Sequence, residues 1–127
     1  MTGSRSYRLG DLQLRIMKVL WKSGPASVAE VHAALGTGRL AYTTVATMLR
    51  KMEARGLVRH REQGRRFIYQ PAVSEEEVNR STTADLVERL FEGSLADAVS
   101  HLLDTHEVSM EELEHLERLI QERKKRR

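Results

Sequence analysis

The 127-residue chain contains no cysteine. This absence excludes disulfide frameworks, thiolate zinc sites, iron–sulfur clusters and cysteine nucleophiles together. Aromatic residues make up only 5% of the chain, so a ring-lined pocket for an apolar ligand is poorly supplied. Long hydrophobic runs are also missing: the longest are a few residues, against the roughly 20 that span a bilayer. No apolar stretch follows the charge in Met1-Thr2-Gly3-Ser4-Arg5-Ser6, so no secretory signal is expected there, and the simplest compartment is the cytoplasm. There is no glycine-rich phosphate loop and no nucleophile motif. The five histidines (His32, His60, His101, His106, His115) are scattered. His101 and His106 are spaced poorly for two ligands on one helix face, so no metal, cofactor or catalytic residue is expected.

Acidic residues are scarce in one half of the chain. Residues 1–71 hold 13 Lys and Arg against 4 Asp and Glu, whereas residues 72–127 hold 8 against 14. The first half is thus built to meet a polyanion. It has no amphipathic helix with Trp or Phe anchors for a membrane surface, which leaves nucleic acid as the better partner. Hydrophobic residues at 40% and charged residues at 31% describe a folded chain of about one domain.

The apolar spacing places a helix from Asp11, read as its N-cap, through Leu12, Ile16, Val19 and Leu20, stopped by Ser23-Gly24-Pro25. Ser27 with Glu30 forms a capping box for a second helix striped by Val28, Val31 and Leu35, followed by a Gly36-Thr37-Gly38 loop. A third helix covers about Ala41 to Arg55, with Val45, Met48, Leu49 and Met52 on its inner face. The period then changes to two. Leu57–Glu62 and Arg66–Gln70 read as a hairpin around Gln63-Gly64-Arg65, with Arg65 and Arg66 at the tip. Beyond Pro71 the chain is helical again, with Ser74/Glu77 and Ser109/Glu112 as further caps.

The expected fold is therefore mainly α: a winged helix-turn-helix over residues 1–72, with three helices and a β-hairpin wing, then a helical dimerisation domain over residues 73–127. If the inner face of the third helix is buried, its other face carries Tyr42, Thr43, Ala46, Thr47 and Arg50. Threonine and arginine reach base edges and phosphates, and a small alanine permits close approach to a groove. Thr44 lies at the flank, near the positive helix N-terminus. Arg65 and Arg66 are candidates for phosphate contact. In the acidic half, Leu86, Leu90, Phe91, Leu95, Val99, Leu102, Leu113, Leu116 and Ile120 form stripes that one small domain cannot bury. They point to a two-fold homodimer reading a palindrome in double-stranded DNA.

Several segments together carry a family resemblance: Met17-Lys18-Val19-Leu20-Trp21, Val28-Ala29-Glu30-Val31, Leu40-Ala41-Tyr42-Thr43-Thr44-Val45-Ala46-Thr47-Met48-Leu49 and Gly64-Arg65-Arg66-Phe67-Ile68-Tyr69-Gln70-Pro71. Over roughly residues 7–122 the chain resembles the penicillinase-repressor family, BlaI/MecI. The resemblance implies a cytoplasmic homodimeric repressor of palindromic operators, including those of β-lactam-resistance genes. It also implies a membrane β-lactam sensor-protease as a partner and a cut within the dimerisation domain. Inducible members are cut at an Asn-Phe bond, and the equivalent here is His101-Leu102. Copper-responsive relatives carry a C-terminal cysteine cluster, which this chain lacks. On the residues alone two other classes stay open: a ligand-sensing winged-helix regulator and a winged-helix protein-interaction module.

Overall fold

The computed structural model describes residues 7–36, 38 and 40–127. The expectations placed on Met1 to Ser6 and on Thr37 lie outside the described residues. Helix α1 spans Asp11–Ser23 and is capped by Gly10, not by Asp11. The Gly10 N–H donates to Gln13 Oε1 at 3.0 Å, while Asp11 sits one position later, in the first turn, where its charge still meets the positive helix end. Strand β1 is only Ala26–Ser27, and α2 follows as Val28–Leu35. The expected capping box forms at this junction. Ser27 Oγ accepts from the Glu30 N–H at 3.2 Å, and Glu30 Oε1 accepts from the Ser27 N–H at 2.8 Å.

Helix α3 covers Tyr42–Ala54, and Gly56 just beyond it adopts φ 80°, the left-handed conformation that ends helices at glycine. Strands β2 (Val58–Gln63) and β3 (Arg66–Pro71) pair antiparallel with Gln63 opposite Arg66. The hairpin is joined by a strand that the sequence pattern did not announce. β1 pairs with the free edge of β3, Ala26 opposite Tyr69 and Ser27 opposite Ile68, so the sheet order is β1-β3-β2. One core gathers Ile16, Met17 and Leu20 from α1, Val31 and Leu35 from α2, Val45, Leu49 and Met52 from α3, and Leu57, Val58 and Tyr69 from the base of the hairpin. Each large apolar side chain so buried stabilises the fold by about 1.5–3 kcal/mol.

The chain forms two compact units, one ending at Asp85 and the other Leu86–Arg127. The expected boundary at residue 72 falls at the end of β3, and the first unit continues past it. Val73 and Val78 are buried in the same core. The Trp21 indole N–H donates to the Val73 carbonyl at 3.0 Å, and the Tyr7 N–H to Ser81 Oγ at 3.1 Å. The division falls inside α4, Glu75–Phe91.

The second unit holds the end of α4, then α5 (Leu95–Thr105, capped by Ser94) and α6 (Met110–Lys125, capped by Ser109). Ala98 is its only buried residue. Leu90 is 69% and Leu95 65% exposed; Leu86, Val99, Leu102 and Ile120 are also exposed, and Phe91, Leu113 and Leu116 are half-buried.

The cap carboxylates Glu30 and Glu77 are held below the ordinary carboxylate range, first by the backbone N–H of Ser27 and of Ser74 and then by their hydroxyls. A lowered folded-state value gives stability that is complete at neutral pH and is lost as pH falls through it. Thermal unfolding should therefore show declining stability below about pH 4. At neutral pH, Ser27→Ala should cost about 1 kcal/mol in urea unfolding.

Candidate nucleic-acid interface

Burial of Val45, Leu49 and Met52 fixes the rotation of α3 about its own axis, and with it what the helix shows to solvent. Tyr42, Ala46 and Arg50 recur at i, i+4 and i+8 and form one stripe. Thr43 and Thr47 form a second stripe, further from the core, and both are exposed. Thr44 is exposed on the far flank, next to the half-buried Met48, whose sulfur accepts from Gln13 Nε2 at 3.4 Å.

The first stripe faces a cleft of about 380 Å³ between α2, α3 and the hairpin. Five expected site residues line it together: Tyr42, Ala46 and Arg50 from α3, and Arg65 and Arg66 from the hairpin tip. Thr43, Thr44 and Thr47 do not line the cleft; Thr47 Oγ1 accepts from the Arg50 guanidinium at 3.2 Å. Ser27, Val28, Ala29, Phe67 and Tyr69 complete the wall. Of these, Phe67 is the residue that sequence reasoning missed as a surface group. It shares a strand face with Tyr69, as the alternation required, but Tyr69 is buried while Phe67, nearer the tip, is exposed. An aromatic beside two tip arginines was the available signal. Burial raises the Tyr69 hydroxyl above the ordinary phenol value, with a smaller push from the Glu53 carboxylate, so it stays neutral.

Two histidines act as struts. His32 Nε2 lies 2.6 Å from the Leu40 carbonyl. The carbonyl can only accept, so Nε2 donates, tying α2 to the residue just before α3. His60, on β2, joins the hairpin to α3. Its Nδ1 lies 2.7 Å and 2.9 Å from the two Glu53 carboxylate oxygens, and its backbone N–H donates to Glu53 Oε2 at 3.3 Å. The His60 ring stacks on Phe67 with centroids 4.1 Å apart. Glu53, His60 and Phe67 thus run in series from the back of α3 to the wing tip. At the helix end, Arg55 donates to Gln13 Oε1 at 3.0 Å and to the Arg8 carbonyl at 2.7 Å, fixing α3 against the start of α1. Among the described residues no group of three or more His, Asp or Glu could hold a metal ion, and no helix is long and apolar enough to cross a membrane.

Three helices, a short turn between the second and third, and a hairpin flanking the exposed face of the third define a winged helix-turn-helix protein. The model of the penicillinase repressor family matches residues 9–122. The chain is 29% identical over 121 residues to the penicillinase repressor of Bacillus licheniformis, covering 94% of each chain. It is 34% identical over 118 residues to the transcriptional regulator BlaI of Mycobacterium tuberculosis, covering 91% of this chain and 84% of that one. A solved structure of the DNA-binding domain of the repressor BlaI superposes with a TM-score of 0.51 at 30% identity, over 59% of this chain and 93% of that one. The chain belongs to the penicillinase repressor family, as its sequence segments implied.

Removing the strut between helix and wing should be measurable without DNA. Glu53→Ala strands the His60 donors, and urea unfolding followed by the fluorescence of the single tryptophan, Trp21, should show a loss of about 1–2 kcal/mol.

Proposed function

We propose that the chain is a transcriptional repressor that binds a palindromic DNA operator as a homodimer, seating α3 in the major groove and the wing on the flanking phosphates. The observation that carries this reading is the shared surface of the α3 and wing residues. Tyr42, Ala46 and Arg50 meet Arg65 and Arg66 at one cleft, with Thr43 and Thr47 exposed on the neighbouring stripe. Threonine and arginine at such positions suit base edges, whereas arginines on a ribbon tip suit phosphate. Family membership supports the same reading: its named members are a penicillinase repressor and the transcriptional regulator BlaI, so the chain is a DNA-binding regulator and not an enzyme. The operators such a protein serves include those of β-lactam-resistance genes.

The homodimer is supported by what the second unit lacks. A segment with one buried residue and a succession of exposed leucines cannot be stable as an isolated surface. A second copy supplies the same stripe, and a two-fold pairing of identical apolar faces closes on itself. In the second unit, Leu102, Leu103, Val108 and Leu116 line a groove of about 460 Å³ between α5 and α6, a natural seat for a partner side chain. Two linked recognition helices then gain from the second binding event being intramolecular. Relief of repression follows from the same linkage. A cut at His101-Leu102 would part α6 from the rest of the interface and uncouple the two half-sites. That bond is exposed but lies inside α5, so a sensor-protease would have to open the helix first.

DNA from upstream of the protein's own gene, titrated at several salt concentrations, tests the reading. Tight, steeply salt-dependent binding to a palindrome is expected, and weak binding indifferent to sequence would refute it. In that assay Arg50→Ala should cost about 1–3 kcal/mol on operator and less on random DNA. Arg65→Ala should weaken both alike and flatten the salt slope by about 0.9 or less. Leu102 is exposed in the protomer, so Leu102→Glu should leave the fold intact while sedimentation shows monomers and operator binding collapses.

A further inference from the structure

We infer that Glu30 is a positioning residue for the wing: it holds Arg66 against the first turn of α2 and so withholds one cation from the DNA backbone. The inference rests on the wing reading above. Its basis is a juxtaposition made by the sheet. Ser27 pairs with Ile68, so Arg66, two residues along β3, arrives beside the start of α2. That is an unfavourable place for a cation, because a helix N-terminus carries partial positive charge. Glu30 compensates, with its Oε1 3.8 Å from the Arg66 guanidinium.

The same oxygen accepts the Ser27 N–H at 2.8 Å, so the carboxylate is pinned by the α2 cap and cannot follow Arg66 elsewhere. Both side chains of the pair are 60% exposed, so the pair is weak and open to exchange. A phosphate oxygen arriving at the wing competes with Glu30 for Arg66. Arg65, next to it on the turn, has no ion pair among the described residues and is available without such competition. The two tip arginines are therefore unequal: one is free to grip and the other is held back.

Glu30→Gln separates the two roles of the residue. Glutamine still accepts the Ser27 N–H and preserves the cap, but it releases Arg66. On a random-sequence duplex, the full-length Glu30→Gln protein should bind about three- to tenfold tighter, with a salt slope steeper by up to about 0.9, one additional phosphate contact. Placed on an Arg66→Ala background, Glu30→Gln should do neither. Ser27→Ala loosens the same cap while leaving the carboxylate charged, so it should lower the melting temperature without tightening binding. A purely structural role would make Ser27→Ala and Glu30→Gln act alike on DNA.

Three results would overturn the inference. Tightening that persists undiminished with Arg66→Ala would mean that Glu30 repels DNA directly. An unchanged slope with Glu30→Gln, while Arg65→Ala flattens it, would leave the wing reading standing and remove Glu30 from it. Unchanged slopes with both Arg65→Ala and Arg66→Ala would remove the wing reading itself, and the inference with it.

Discussion

Burial of one face of α3 is the constraint on which the rest depends. Val45, Leu49 and Met52 lose all solvent exposure against α1, α2 and the base of the hairpin. Because an α-helix is rigid about its axis, committing those three side chains commits the others. Tyr42, Ala46 and Arg50 must face the wing, and Thr43 and Thr47 must face outward. The threonine-rich segment becomes a surface suited to a groove only because its apolar partners have been taken inward. The two histidine struts then limit the remaining freedom. His32 fixes where the helix begins, and His60, through Glu53, fixes the wing beside it.

The two units solve the problem of burying apolar surface differently. The first has a packed core with a three-stranded sheet across one edge. The second has amphipathic helices and nearly no interior of its own. Small protomers often leave such a debt to be settled by association, since burial of apolar surface is the main driving term in both folding and assembly. In a DNA-binding regulator this arrangement has a functional consequence. Occupancy of the operator becomes sensitive to anything that loosens the second unit, although the groove-facing surface lies in the first.

What could be read from the sequence was local. The caps at Ser27/Glu30, Ser74/Glu77 and Ser109 were legible because each spans three residues and satisfies its own backbone groups. The inner stripe of α3 and the hairpin with its arginine tip were legible from their periods. The winged-helix fold and the family followed from those elements in that order. Strand β1 was not legible, because two residues carry no period and exist as a strand only where β3 runs past them. The Glu53–His60 strut and the Glu30–Arg66 pair join distant parts of the chain, so their meaning appears only once the sheet register is set. Phe67 was seen as a strand residue but not as part of the surface, since alternation gives a side chain's face and not its distance from the core.

A nuclear magnetic resonance titration of the isotope-labelled full-length protein with duplex DNA from upstream of its own gene would test the DNA-gripping surface most directly. Amide shifts concentrated on Thr43, Thr47, Arg50 and the wing tip from Gly64 to Phe67 are expected, with the exposed stripes of α5 and α6 unaffected. Shifts confined to α5 and α6, with α3 and the wing silent, would contradict the proposed interface.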